Sequence, residues 1–93
     1  MTEAELQRAI VQLAKIRRWR CYHNPDSRRS EAGFPDLFLM RAPKSMFVEL
    51  KSSNGRLRPE QVEWLDELKA SGFETHVWRP ADYTDGTVER ALA

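Results

Sequence analysis

Gly33-Phe34-Pro35-Asp36-Leu37-Phe38-Leu39-Met40, a break over Arg41-Ala42-Pro43-Lys44-Ser45, then Met46-Phe47-Val48-Glu49-Leu50-Lys51: this stretch reads as two apolar strands joined by a loop. Strands this apolar belong in the middle of a sheet, where ionisable groups are costly. Yet Asp36 begins the first, and Glu49 and Lys51 lie near the end of the second. A turn centred on Pro43 sets Asp36 across from Glu49 or Leu50. Side chains alternate along a strand, so Glu49 and Lys51 share a face, their Cα atoms roughly 6.5–7 Å apart. Two carboxylates and an ammonium then crowd the ends of two strands.

Clustered carboxylate oxygens suit magnesium or manganese. An ammonium beside them can hold a water or stabilise developing negative charge. Such a set can cleave a phosphodiester. The bland alternatives are an Asx turn at Asp36 and an exposed ion pair between Glu49 and Lys51. Phe47 shares the face of that pair, while Met46, Val48 and Leu50 fill the other, so both faces are expected to be covered. A surface pair would not need that. The Leu50 side chain faces the core, and its backbone carbonyl is expected to join the metal's coordination shell.

Ninety-three residues make one domain, 1–93. The apolar and charged fractions are those of an ordinary soluble globular protein. No run is long and apolar enough for a membrane span, and the first residues lack a signal peptide's apolar stretch, so the expected compartment is the cytoplasm. A single cysteine, Cys21, excludes an internal disulfide and a cysteine-rich zinc site and reads as a buried core thiol. The net charge of +1 hides an asymmetry: Lys15 to Arg58 carries a net +7, and Pro59 to the end a net −5. The basic segment contains the candidate site, and a positive field there suits a polyanion.

Thr2 and Glu5 form a capping box for a first helix with Leu6, Ile10, Leu13 and Ala14 on its inner stripe, ending near Ile16 or Arg18. Glu3 falls on that stripe and Glu5 at its edge. An acid there either favours the positive helix end or reaches the metal cluster; both readings stand. Trp19 to His23 is a short strand. The loop from Asp26 to Gly33 carries Ser27, Arg28, Arg29 and Ser30, whose arginines can hold phosphates. Ser52 to Leu57 is a second basic loop with a turn at Asn54-Gly55; Arg56 and Arg58 either meet phosphates or serve solubility. Pro35 suits the first residue of a strand, and Pro59 the first position of a helix ending before Gly72. Gln61 shares that helix's inner face with Leu65 and Leu68, where a buried amide needs a partner: the strand carrying Glu49, a water or a phosphate. Trp64 and Trp78 are expected in packing or subunit contacts. Phe73 to Arg79 is the last strand, ended by Pro80, and Val88 to Leu92 a closing helix with Thr84 or Asp85 near its start.

Pro35-Asp36, twelve residues, then Glu49-Leu50-Lys51 resembles the PD-(D/E)XK nuclease superfamily. With His23, Ser27-Arg28-Arg29-Ser30, Gly33-Phe34-Pro35-Asp36, Gln61, Trp64-Leu65 and Val77-Trp78-Arg79-Pro80, the chain resembles the stand-alone phage and bacterial members of the virus-type replication-repair nuclease (VRR-NUC) family from about Glu3 to Leu92. The resemblance implies an α/β fold with a restriction-endonuclease-like core, order α-β-β-β-α-β-α around a central mixed sheet. It implies a Mg²⁺- or Mn²⁺-dependent endonuclease, with Asp36 and Glu49 holding metal beside Leu50 and with Lys51 catalytic. It favours Glu3 as the first-helix acid, a site role for Gln61, and His23 lining the nucleic-acid cleft. It further implies a homodimer acting on branched DNA such as four-way junctions, in the host cytoplasm if phage-encoded. A catalytically vestigial DNA-binding module on the same fold, and a restriction-type enzyme with a fixed recognition sequence, are the alternatives.

Overall fold

The structure is a computed structural model that describes residues 1–24 and 31–93. Helix α1 spans Glu3–Ile16 and begins in the expected capping box: the Glu5 carboxylate accepts from the Thr2 N–H at 2.8 Å, and the Thr2 hydroxyl accepts from the Glu5 N–H at 3.1 Å. Strands β1 (Arg20–His23), β2 (Leu37–Arg41) and β3 (Lys44–Leu50) follow, then helix α2 (Pro59–Ala70) and strand β4 (Glu74–Trp78). Two short helices close the chain, α3 (Pro80–Thr84) and α4 (Thr87–Leu92). The sheet order is β1-β2-β3-β4, with the first two pairings antiparallel and the third parallel. It is therefore mixed, as expected. Among the described residues no helix is long and apolar enough to cross a membrane.

Strand alternation divides the protein into two layers. Leu37 and Leu39 of β2, Met46, Val48 and Leu50 of β3, and Trp78 of β4 point to one face and pack with Leu6, Ile10 and Ala14 of α1 and Val88 and Leu92 of α4. The opposite face carries Phe38, Phe47 and Glu49, and α2 packs there along β4. Phe34, Phe38, Phe47, Phe73 and Trp64 build an aromatic cluster beneath α2, with ring centroids 4.7–5.8 Å apart. Trp64 Nε1–H donates to the Ala32 carbonyl at 3.2 Å. Trp64 and Trp78 both serve packing, Trp78 from inside the core.

Several boundaries differ from the sequence reading. The hairpin turn is only Ala42-Pro43, joined by a cis peptide, because Arg41 and Lys44 already pair. Pro35 is buried ahead of β2, which starts at Leu37, although the Asn24 N–H bonded to the Asp36 carbonyl carries the ladder one step further. The turn after β3 centres on Ser53-Asn54, closed by the Gly55 N–H on the Ser52 carbonyl, not on Asn54-Gly55. Pro80 ends β4 but also opens α3, a helix absent from the expected order. The N-cap of α4 is Gly86, at φ +88°. Cys21 is half-buried against the core, and that burial pushes its thiol up from the usual range.

Candidate active site

The β2–β3 register pairs Leu37 with Val48, which sets Asp36 across from Glu49. Asp36 precedes a strand, so its carboxylate can turn along the sheet end. Its Oδ2 accepts from the Leu50 N–H at 2.8 Å, fastening it against β3. Glu49 lies on the α2 face, where Phe47 precedes it on the same strand, and is only 3% exposed. A buried carboxylate needs partners. Gln61 supplies one: its Nε2 donates to Glu49 Oε2 at 3.1 Å. The same amide's Oε1 accepts from the Arg58 N–H, the N-cap of α2, at 2.8 Å. Only the oxygen can accept there, so the NH₂ group is left facing Glu49. Lys51 completes the group, with Nζ 3.7 Å from the same Glu49 oxygen and its side chain 12% exposed.

Burial raises the Glu49 carboxyl to about 8, and repulsion from Asp36 and a hydrogen bond between the two carboxyls add to the rise; Lys51 opposes it, and Glu3 contributes a smaller repulsion. Two carboxyls on one spot thus hold a proton where a dication would relieve the repulsion. That chemistry fits Mg²⁺ or Mn²⁺. Among the described residues no three carboxylate, imidazole or thiol side chains gather closely enough to hold an ion. A cation at Asp36 and Glu49 would therefore need further oxygens from main chain, water or substrate, and the Leu50 backbone lies alongside Asp36.

The raised carboxyl has a consequence for stability. The native state keeps a proton that the unfolded chain, with an ordinary carboxyl near 4.5, releases. The associated stability is complete below pH about 4.5 and is lost as pH rises towards about 8. With chelator present, the thermal midpoint should fall between pH 5 and pH 8 by roughly 10 °C, on the order of 2 kcal/mol. Glu49→Gln should flatten that slope. Equal slopes in parent and variant would contradict the assignment.

The other expected residues are distributed as follows. Glu5 is committed to the capping box. Glu3 is exposed, not buried with Leu6 and Ile10, and its charge still reaches Glu49. His23 is exposed at the end of β1 and pairs with Leu37, so it stands on the α1 side of the sheet, behind the carboxylates and not in line with them. Arg56 and Arg58 are exposed on the connection into α2, and Arg58 lies 3.4 Å from Glu60. Ser27, Arg28, Arg29 and Ser30 lie outside the described residues. The sequence reading assigned no role to Arg79, whose Nη1 donates to the carbonyls of Ser52 at 2.7 Å and Gly55 at 2.6 Å, bracing the loop after Lys51. In the sequence it was legible only as the end of the last strand and as part of Val77-Trp78-Arg79-Pro80.

Three comparisons bear on this geometry. Fanconi-associated nuclease 1 of Ailuropoda melanoleuca is 39% identical over 54 residues, covering 56% of this chain and 5% of that protein. The chain thus spans a small fraction of the curated relative's length. A solved structure described as a VRR_NUC domain protein superposes with a TM-score of 0.72 at 21% identity, covering all of this chain and 91% of the other, a likeness of fold. The sequence profile of the VRR-NUC domain matches residues 1–82, most of the chain, which therefore belongs to the VRR-NUC family.

Proposed function

We propose that the protein is a divalent-metal-dependent DNA endonuclease that hydrolyses phosphodiester bonds, acting as a homodimer on branched DNA such as four-way junctions. The observation that carries the reading is the shared Asp36–Glu49 site, with Lys51 3.7 Å from Glu49 and Gln61 hydrogen-bonded to it. The similarity to a protein named as a nuclease supports the reaction class. Asp36, Glu49 and the Leu50 carbonyl would hold Mg²⁺ or Mn²⁺. The cation supplies polarisation of the phosphoryl group and activation of water. Lys51 offsets negative charge growing on the phosphorus oxygens. Gln61 holds Glu49 in one orientation, and Glu3 adds charge from the end of α1. Arg56, Arg58 and the Ser27–Ser30 segment contribute phosphate contacts, and His23 binds nucleic acid on the other side of the strand end.

A second copy of the chain has a surface to occupy. Tyr22 and Met40 stand on the sheet face that α2 leaves open and are 59% and 40% exposed, and Phe73, at the edge of the aromatic cluster, is 41% exposed. A two-fold pair would present two sites to a junction. The deciding assay uses labelled four-way junction, flap, linear duplex and single strand, each with Mg²⁺, Mn²⁺ or chelator. Cleavage of the junction in metal and none in chelator is expected. Binding should show little sequence preference and a log–log salt slope of about −0.9 per phosphate neutralised. A flat salt response would contradict it.

One observation favours a second reading. With no third side-chain ligand among the described residues, a module that binds DNA without cutting it could retain this fold. Calorimetry separates the two: the enzyme binds Mn²⁺ stoichiometrically and Asp36→Ala abolishes that binding, whereas the module shows none.

A further inference from the structure

A groove of about 500 Å³ runs between the outer side of α1 and strand β1, lined by Gln7, Arg8, Val11, Gln12, Lys15 and His23. We infer that it is a second phosphate track, holding the DNA backbone as the strand passes to or from the Asp36–Glu49 pair; the inference rests on the nuclease reading. Among the described residues the lining has two cations, two amides and an imidazole, one aliphatic side chain and no acid. Such a wall disfavours cations. It suits an anion rich in oxygen acceptors.

The spacing suits a polymeric anion. Arg8 and Lys15 are seven residues apart on one helix, about 10.5 Å along its axis. That is about three steps of axial rise along one DNA strand. A backbone can meet the two charges in succession. Both cations are exposed, and neither forms an ion pair among the described residues. Arg17 and Arg41 differ: Arg17 is paired to Glu89 at 2.8 Å, and Arg41 donates to main-chain carbonyls of Arg17, Leu92 and Ala93. Of the two acids on the first turn of α1, Glu5 is engaged by the Thr2 N–H, with its charge also acting with Arg8, and Glu3 is exposed at the helix start.

Both walls start at the catalytic end. The α1 wall begins at Glu3, close enough for its charge to act on Glu49. The β1 wall ends at His23, and the next residue, Asn24, donates its N–H to the Asp36 carbonyl at 2.9 Å. Lys15 lies at the far end, where its charge reaches Cys21 on β1. The groove therefore leads away from the carboxylates along the sheet edge.

The test compares the parent, Arg8→Ala/Lys15→Ala, and a charge-matched control, Lys44→Ala/Lys69→Ala, whose cations are exposed elsewhere. Anisotropy with a labelled linear duplex in chelator, from 50 to 200 mM salt, gives Kd and its salt slope. The groove variant should bind about tenfold more weakly at 100 mM salt, with a slope shallower by about 1.8, two phosphate contacts at 0.9 each. Its cleavage rate at saturating DNA should stay within about twofold of the parent. A slope and Kd equal to the parent's, or changed no more than the control's, overturn the inference. A parent that cuts normally beside such a result leaves the nuclease reading standing, whereas a parent that neither binds nor cuts DNA sinks that reading.

Discussion

Asp36→Asn should reduce cleavage by about 10³-fold and abolish stoichiometric Mn²⁺ binding, while Lys51→Ala should lose about 10²–10³-fold in kcat and keep the ion, magnitudes typical of removing one preorganised charge from a reacting phosphate. The two substitutions separate because the groups do different things. Asp36 accepts the Leu50 N–H, and an asparagine oxygen can still accept it, so Asp36→Asn removes charge with little loss of fold. Without that charge Glu49 has no anionic partner, and the site offers one carboxylate where a dication needs two. Lys51 faces the same oxygen of Glu49 at 3.7 Å, too long for a strong charge-assisted bond. Its ammonium is therefore available to a phosphate. Removing it should leave Glu49 held by Gln61 and leave KM for DNA nearly unchanged, since a transition-state contact lowers kcat and kcat/KM together. Single-turnover kinetics at saturating DNA, with calorimetric Mn²⁺ titration of each variant, checks this. Lys51→Ala cutting at the parent rate would remove Lys51 from the chemistry, and undiminished Mn²⁺ binding by Asp36→Asn would remove the metal site.

The parts of this site that were legible in the sequence rest on short-range rules. Period-two alternation placed Met46, Val48 and Leu50 against Phe47 and Glu49, and the two-faced burial of β3 follows it. The Thr2/Glu5 box and the Pro59 and Gly72 boundaries are local chemistry, and they bound α1 and α2 correctly. What was not legible depends on contacts between distant segments. Helical phase puts Glu3 on the inner stripe, but whether anything covers the first turn is a tertiary fact, and Glu3 is exposed. Helix α3 has five residues, too few for periodicity, and Pro80 reads equally as a stop and a start. The aromatic cluster draws on Phe34, Phe38, Phe47, Trp64 and Phe73, which no sequence spacing connects. Gln61 was readable as a buried amide; that it bonds the Glu49 side chain itself, and not the strand's backbone, took the geometry.

Gly33→Ala should be among the most damaging single changes in the chain, although Gly33 touches neither carboxylate. Its φ is +89°, in the left-handed region, where a side chain costs about 1–2 kcal/mol. A Cβ there would also sit 2.5 Å from the Glu60 carbonyl oxygen and 2.9 Å from the Gln61 nitrogen, both backbone atoms that no rotamer change can move aside. The first turn of α2 would have to shift, adding about 1–3 kcal/mol. Together that is about 2–5 kcal/mol, a large share of the stability of a domain this size, and the thermal midpoint should fall by roughly 15 °C. Function should fall further than stability. Gln61 belongs to the displaced turn and donates to Glu49 at 3.1 Å, so the carboxylate would lose its orientation. Gly72 is the internal control: its φ is +94°, yet a Cβ there would meet nothing within 4 Å. Gly72→Ala should therefore cost only the backbone strain, about 1–2 kcal/mol or a fall of about 5–10 °C, and keep full cleavage well below its own midpoint. Calorimetric melting of both variants, with cleavage measured at 15 °C where each is folded, distinguishes the two costs. Equal midpoints and equal cleavage for the two alanines would show that close packing against α2 does not position Gln61.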